Sequence, residues 1–186
     1  MQDRKDTILD AAFGVFAQYG YRRTVMEDIA SAAGLSRTAL YQHWRNKDDL
    51  FRALAQRYFD TGVRDMVQAL ATPGQPVEQA LLAAFAAKDG KFMQAVLATP
   101  HGAELLEAGY AVTADIAAAG EARFTEVLAD WLARLPVPAD AGTATRVANS
   151  IMAAIKGLKS SARTLAEYHE GQATLARLMA RALRLD

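Results

Sequence analysis

Apolar residues recur along this chain with the period of a helix almost from end to end. Ile8, Ala12, Val15, Phe16 and Tyr19 fall at i, i+4, i+7, i+8 and i+11, with Leu9 and Phe13 widening the stripe. That spacing predicts an amphipathic helix over Arg4 to Tyr19, stopped by Gly20. Gly14 inside it costs ~1 kcal/mol relative to alanine and marks a candidate close approach of another helix. Val25, Ile29 and Ala33 define the inner face of a short second helix, expected to start just after Thr24, because Thr24 and Glu27 have the spacing of a capping box. Gly34 supplies a left-handed stop against which Leu35 can fold back. Ser36 is a good N-cap for a third helix carrying Arg37 to Gln42. Asn46 caps a fourth, with Asp48 and Asp49 at its positive end, which runs inward on Leu50, Leu54 and Tyr58 towards Leu70. The Thr72-Pro73-Gly74-Gln75-Pro76 loop ends it.

From Val77 onward the pattern stays helical, with no alternating strand signal. One helix is expected from Val77 to about Leu97, with a break near Asp89-Gly90, and a turn at Thr99-Pro100-His101-Gly102. One or two helices follow between Ala103 and Leu135, bent near Gly109, before a stop at Leu135-Pro136-Val137-Pro138. A long helix from Asp140 to Tyr168, a turn at His169-Glu170-Gly171 and a last helix from Gln172 to Leu183 complete the chain. The fold class is therefore all-α: an N-terminal three-helix helix-turn-helix head joined to a C-terminal helical bundle, about nine helices in total. The expected domains are 1–46 and 47–186.

The segment from Thr24 to Lys47 carries the chemistry. Two short helices meet at a Gly-Leu-Ser turn, and Ala30 is small enough for the second to cross closely. Such a unit places its second helix in the major groove of DNA. Arg37 and Thr38 open that helix, where side chains reach base edges. Arginine can bond guanine bidentately and the threonine methyl can touch thymine, although Arg37 on phosphate alone is the plainer alternative. Gln42 either reads adenine or is solvated. Thr24 and Lys47 stand at helix N-termini, where free N–H groups attract phosphate and set register without specifying sequence. Leu40 and Trp44 are core residues.

The segment resembles the DNA-binding signature of the TetR family of bacterial transcriptional regulators. The matching positions are Phe16, Gly20, Tyr21, Thr24, Ile29, Ala30, Ala33, Gly34, Ser36, Leu40, Tyr41, His43, Trp44, Lys47 and Leu50, with Trp44 where phenylalanine is commoner. The resemblance covers about the first quarter of the chain. It implies that the polar atoms of Tyr41 and His43 face the phosphate backbone. The DNA-facing set is then Thr24, Ser36, Arg37, Thr38, Tyr41, Gln42, His43 and Lys47.

It also implies an effector pocket in the bundle and a dimer built from the last two helices. Phe85, Phe92, His101, Leu105, Tyr110, Phe124 and Met152 are the pocket candidates, being bulky apolar side chains with a few polar groups near them. Ala153, Gly157 and Ser161 form a strip of small side chains beside two apolar faces. The expected dimer residues are Ile151, Ala154, Gly157, Leu158, Ser161, Leu175, Leu178 and Met179. A dimer also makes functional sense, since one short recognition helix reads too few base pairs for useful specificity.

Composition narrows the function further. The 186 residues carry a formal net charge of zero, so bulk attraction to nucleic acid is not the mode of binding. Arg22, Arg23, Arg37, Arg45 and Lys47 nevertheless cluster between Tyr21 and Lys47, against Glu27 and Asp28 there, which suits a site-specific binder. Cysteine is absent, and His43, His101 and His169 have no ligand-like spacing, so no disulfide, metal or cofactor is expected. No nucleophile motif or phosphate loop calls for an enzyme. The N-terminus is neither a signal peptide nor a span, and no segment is apolar for long enough to cross a bilayer, so a cytoplasmic location is expected. The resulting expectation is a homodimeric repressor on near-palindromic operator DNA, released by a small, largely apolar ligand. The alternatives are an effector-independent regulator, and a helical ligand-binding or scaffold protein whose head no longer binds DNA.

Overall fold

The stripe through Ile8, Ala12 and Phe16 forms α1 (Gln2–Tyr19), and Gly20 ends it at φ +84° with its N–H on the Phe16 carbonyl, 2.9 Å away. The structure, a computed structural model, describes residues 2–135 and 141–183. After α1 come α2 (Met26–Ala32), α3 (Arg37–Tyr41), α4 (Lys47–Leu70), α5 (Val77–Ala98), α6 (Gly102–Val112), α7 (Ala114–Ala133), α8 (Ala141–Ser161) and α9 (Leu165–Ala182). No strand occurs among the described residues, so the chain is all-α. No described helix is long and apolar enough to cross a membrane.

Several boundaries differ from the sequence reading, each for a local reason. Helix α5 runs unbroken through Asp89-Gly90, because Asp89 is buried and paired there. The break in the next segment falls at buried Thr113 and not at Gly109. Helix α8 stops at Ser161, and α9 starts after Thr164. The Thr164 hydroxyl oxygen accepts from the Glu167 N–H at 3.1 Å, and the Glu167 carboxylate accepts from the Arg163 N–H at 2.9 Å. A Thr-x-x-Glu box, visible in the sequence, thus marks this start. His169-Glu170-Gly171 lies inside α9, where Gly171 makes room for a neighbour: a Cβ there would stand 2.6 Å from a Leu158 methyl. The expected stop at Pro136-Val137-Pro138 lies outside the described residues.

Two compact units divide the chain: residues 1–58 with 95–118, and residues 59–94 with 119–186. The expected head, 1–46, lies wholly in the first, which also takes in the start of α4 and all of α6. Its core holds Ile8, Phe16, Ile29, Leu40 and Leu50, each fully buried and each stabilising by about 1.5–3 kcal/mol. Phe51 meets the Phe16 ring edge-on at 5.3 Å and the Tyr21 ring at 4.8 Å. Leu105 and Ala108 of α6 complete the same core. In the second unit Phe59 and Phe124 pack with ring centroids 6.0 Å apart. Gly120 and Gly62 leave space for those rings; a Cβ on Gly62 would stand 2.8 Å from Phe124 Cζ.

Candidate nucleic-acid interface

The turn between α2 and α3 closes as a Schellman motif. Gly34 takes φ +66°, the Leu35 N–H reaches the Ala30 carbonyl at 2.8 Å, and the Gly34 N–H reaches that of Ser31 at 3.1 Å. Ser36 then caps α3, its Oγ accepting from the Ala39 N–H at 3.2 Å. With Leu40 buried underneath, α3 turns Arg37, Thr38, Tyr41 and Gln42 outward, and His43 follows them, all exposed. The Arg37 guanidinium pairs with Glu27 and lies 5.4 Å from the centre of the Tyr41 ring. The expected base-reading and phosphate-facing side chains of α3 therefore share one exposed face.

Two members of the expected set have other uses. Thr24 is completely buried, and its hydroxyl donates to the Gly20 carbonyl at 2.7 Å. The N-cap of α2 is Val25, whose N–H donates to the Asp28 carboxylate at 2.9 Å, so the helix starts one residue later than a Thr24–Glu27 box implies and with no side-chain cap from its N-cap residue. A phosphate contact from the Thr24 side chain is thereby overturned: its hydroxyl fastens the α1–α2 turn. The Lys47 ammonium donates to the carbonyls of Tyr21, Thr24 and Arg22 at 2.7, 3.0 and 3.3 Å, and lies 4.5 Å from the centre of the Tyr21 ring. An ammonium has three donors, and all three are used here. Lys47 therefore ties the α1–α2 turn to the start of α4. Tyr21 joins the tie through its hydroxyl, which donates to Asp48; burial first, and then the Asp48 hydrogen bond and charge, push the phenol well above its usual range.

The basic cluster is also less bare than the sequence implies. Arg22 pairs with Glu107 at 3.4 Å and Arg45 with Asp49 at 2.7 Å, as Arg37 does with Glu27. These pairs are exposed, hence weak and salt-screened, and phosphate can replace the carboxylate partner.

The expected pocket residues fall in both units. Phe85, Phe124 and Met152 are buried in the second unit, with Phe92 part-buried there. Leu105 belongs to the head's core, and His101 lines an open groove of about 500 Å³ with Tyr19, Arg23, Asp28 and Ser31. Both are corrected out of a bundle pocket, because α6 packs with α1. The Glu104 carboxylate next to them accepts from the Arg22 N–H at 2.6 Å. The Tyr110 side chain lies outside the described residues.

Among the expected dimer residues, Ile151 is only 1% exposed in the single chain and is corrected to that chain's own core. Leu158 packs on Gly171 within the chain. Gly157 and Ser161 are exposed, Leu178 is 54% exposed, and Ala154, Leu175 and Met179 are part-buried. Thr143, Val147, Ser150, Met179 and Leu183 line a groove of about 370 Å³ on α8 and α9.

A polar cluster in the second unit escaped the sequence reading. Asp89 is fully buried; its carboxylate accepts from Lys159 Nζ at 2.8 Å and the Tyr168 hydroxyl at 2.9 Å, with Lys88 Nζ at 3.4 Å. Lys88 also donates to Glu121 at 2.9 Å. Burial pushes the Asp89 carboxyl up, but the charges of Lys159 and Lys88 and the bonds from Lys159 and Tyr168 outweigh it and hold it down at about 2. Tyr168 is pushed far above its usual range by burial and by the Asp89 charge. The signal was present but faint: a Lys-Asp pair inside an otherwise apolar helical run.

Comparison with known proteins places this geometry. Residues 8–54 match the model of the bacterial regulatory proteins, tetR family. The activator FasR of Mycolicibacterium smegmatis is 41% identical over 70 residues, 38% of this chain and 32% of that protein. The repressor ComR of Escherichia coli is 37% identical over 83 residues, 45% of this chain and 40% of that protein. The matched stretch thus spans less than half the length of either relative. The SmeT–triclosan complex shares the fold at a TM-score of 0.66 and 21% identity, over 97% of this chain and 90% of that one.

Proposed function

We propose that this chain, whose residues 8–54 match the model of the bacterial regulatory proteins, tetR family, is a DNA-binding transcriptional regulator that works as a homodimer. The observation that carries this reading is the exposed face of α3, where Arg37, Thr38, Tyr41 and Gln42 project from a helix capped at Ser36 and anchored at Leu40. Arg37, Thr38 and Gln42 read base edges; Ser36, Tyr41 and His43 contact phosphate. Lys47 and Thr24 hold the turn that sets the angle of the head. The dimer forms through the exposed parts of α8 and α9 around Gly157, Ser161 and Leu178, so that two heads meet a near-palindromic operator. A small ligand in the second unit then lowers operator affinity through linkage, making the protein a repressor released by its effector. Support for a ligand comes from SmeT, a protein of the same fold, whose complex contains triclosan. The full burial of Phe85 and Phe124 favours one other reading, a regulator that needs no effector.

Selection of bound sequences from a random DNA pool tests the proposal. The expected outcome is enrichment of two inverted half-sites about one helical turn, or a multiple of it, apart. Enrichment of a single half-site would overturn the dimer, and no enrichment near physiological salt would overturn sequence-specific binding.

A further inference from the structure

The recognition helix supplies no carboxylate of its own, since α3 reads Arg37-Thr38-Ala39-Leu40-Tyr41. The neighbouring helix puts one beside it. In α2 the packed side is Met26, Ile29 and Ala30, which leaves Glu27 on an exposed flank, where its carboxylate pairs with the Arg37 guanidinium. The two side chains are 49% and 63% exposed, so the pair adds little to stability. The other acid of that turn, Asp28, is engaged by the Val25 N–H at 2.9 Å. The Tyr41 ring centre lies 5.4 Å from the guanidinium carbon, and Arg37 is pushed above its usual range first by the Tyr41 hydroxyl bond and then by the Glu27 charge. A carboxylate on a surface that meets phosphate repels DNA of every sequence, so Glu27 opposes affinity there. Arginine has five N–H donors in a planar fork, and guanine takes two of them. Glu27 meets Nη1; the Nε–Nη2 edge is the separate pair that matches guanine O6 and N7.

We propose that Glu27 is a positioning residue for base recognition: its carboxylate stays on Arg37 Nη1 in the complex and aims the guanidinium at one guanine of each half-site. Such a partner acts on specificity, which is a difference of affinities. On guanine, Arg37 keeps the Glu27 bond and adds two more. On any other base it gains no such pair, while the Glu27 charge still repels the backbone. Holding the guanidinium also removes part of the side-chain entropy that a free arginine loses on docking. The inference rests on the reading of Arg37 as a base contact and adds the residue that makes that contact selective.

The test compares Glu27→Gln, Glu27→Asp and Arg37→Ala by selection from the random DNA pool, and by titration of the selected operator and of a scrambled duplex. Glu27→Gln should reduce the preference for guanine, at the position that Arg37→Ala relaxes, by about three- to tenfold. It should also tighten binding to the scrambled duplex by about two- to fivefold. Glu27→Asp keeps the charge but is one methylene short, so the preference should fall while scrambled-duplex binding stays at the wild-type level. In the Arg37→Ala background, Glu27→Gln should have no further effect on preference. Preference is a ratio between sequences, so any unfolded fraction of a variant cancels from it. An unchanged profile for Glu27→Gln, where Arg37→Ala relaxes one position, overturns the proposal and leaves Arg37 as a base contact. A change at a different position, or additive effects of the two substitutions, would fit direct reading of cytosine by Glu27 and overturns the positioning role. An unchanged profile for Arg37→Ala overturns both the proposal and the base-contact reading on which it rests.

Discussion

Replacing Lys47 by alanine separates two roles that a mutant defective in DNA binding would otherwise confuse. The substitution removes an ammonium bonded to the Tyr21, Arg22 and Thr24 carbonyls and seated 4.5 Å from the centre of the Tyr21 ring. Hydrogen bonds to a charged group contribute about 1.5–3 kcal/mol each when well made. Here the group is half-buried, one bond is long, and water can reach the freed carbonyls, so a total loss of about 2 kcal/mol is expected. In a chain of this size that lowers Tm by about 4–8 °C. Operator affinity falls with it, because the α1–α2 turn and the start of α4 are no longer tied together. The assay pairs urea unfolding with operator titration at several salt concentrations. A phosphate-contacting lysine would behave differently: stability would hold, and the salt slope would drop by about one per protomer. Unchanged unfolding together with that drop in slope would refute the positioning role and restore the phosphate contact.

Arg37→Ala is expected to relax base preference at a particular operator position and to cost about 1–3 kcal/mol on the cognate site, read by repeating the pool selection; an unchanged preference profile would leave Arg37 on phosphate alone. Gly157→Leu should leave helicity intact, since a Cβ there meets nothing within 4 Å in the single chain. The same change should shift the protein to monomer on sedimentation, and a fully dimeric mutant would place the interface elsewhere. For Asp89, ordinarily at 3.8 and held at about 2 in the fold, the unfolded chain takes up the proton first as pH falls. Its contribution, about 2 kcal/mol, should be complete above roughly pH 4 and lost as pH drops towards 2, measured as the urea midpoint against pH. Asp89→Asn should remove that acid dependence.

Most of the head was legible because its signals are local. A glycine stop at Gly20, a Gly34-Leu35 turn, and the Ser36 and Asn46 caps each act within a few residues of themselves, and each is found where expected. Thr24 and Glu27 have the spacing of a capping box, but the Gly20 carbonyl takes the Thr24 hydroxyl and the Asp28 carboxylate takes the Val25 N–H instead. The α8–α9 boundary lies at Thr164-x-x-Glu167, where the sequence announces it, and Gly171, a stop by local pattern alone, admits Leu158 instead. Leu105 and His101 fall with the head because residues 95–118 pack with α1, which their place in the chain does not reveal.

What the sequence determined alone was the set of helices, their principal caps and the motif that presents Arg37, since these depend on neighbours one to five positions away. Tertiary structure decided how the polar side chains are used. Lys47 finds its carbonyls 23 to 26 positions back, Glu104 reaches an amide 82 positions away, and Tyr168 meets Asp89 across 79. An exposed lysine on phosphate, a lysine closing a turn and a lysine buried against a carboxylate share one local pattern. Their difference lies in which distant acceptors packing brings within 3 Å, and helical periodicity, which records only the side of the helix a residue occupies, carries no information about that distance.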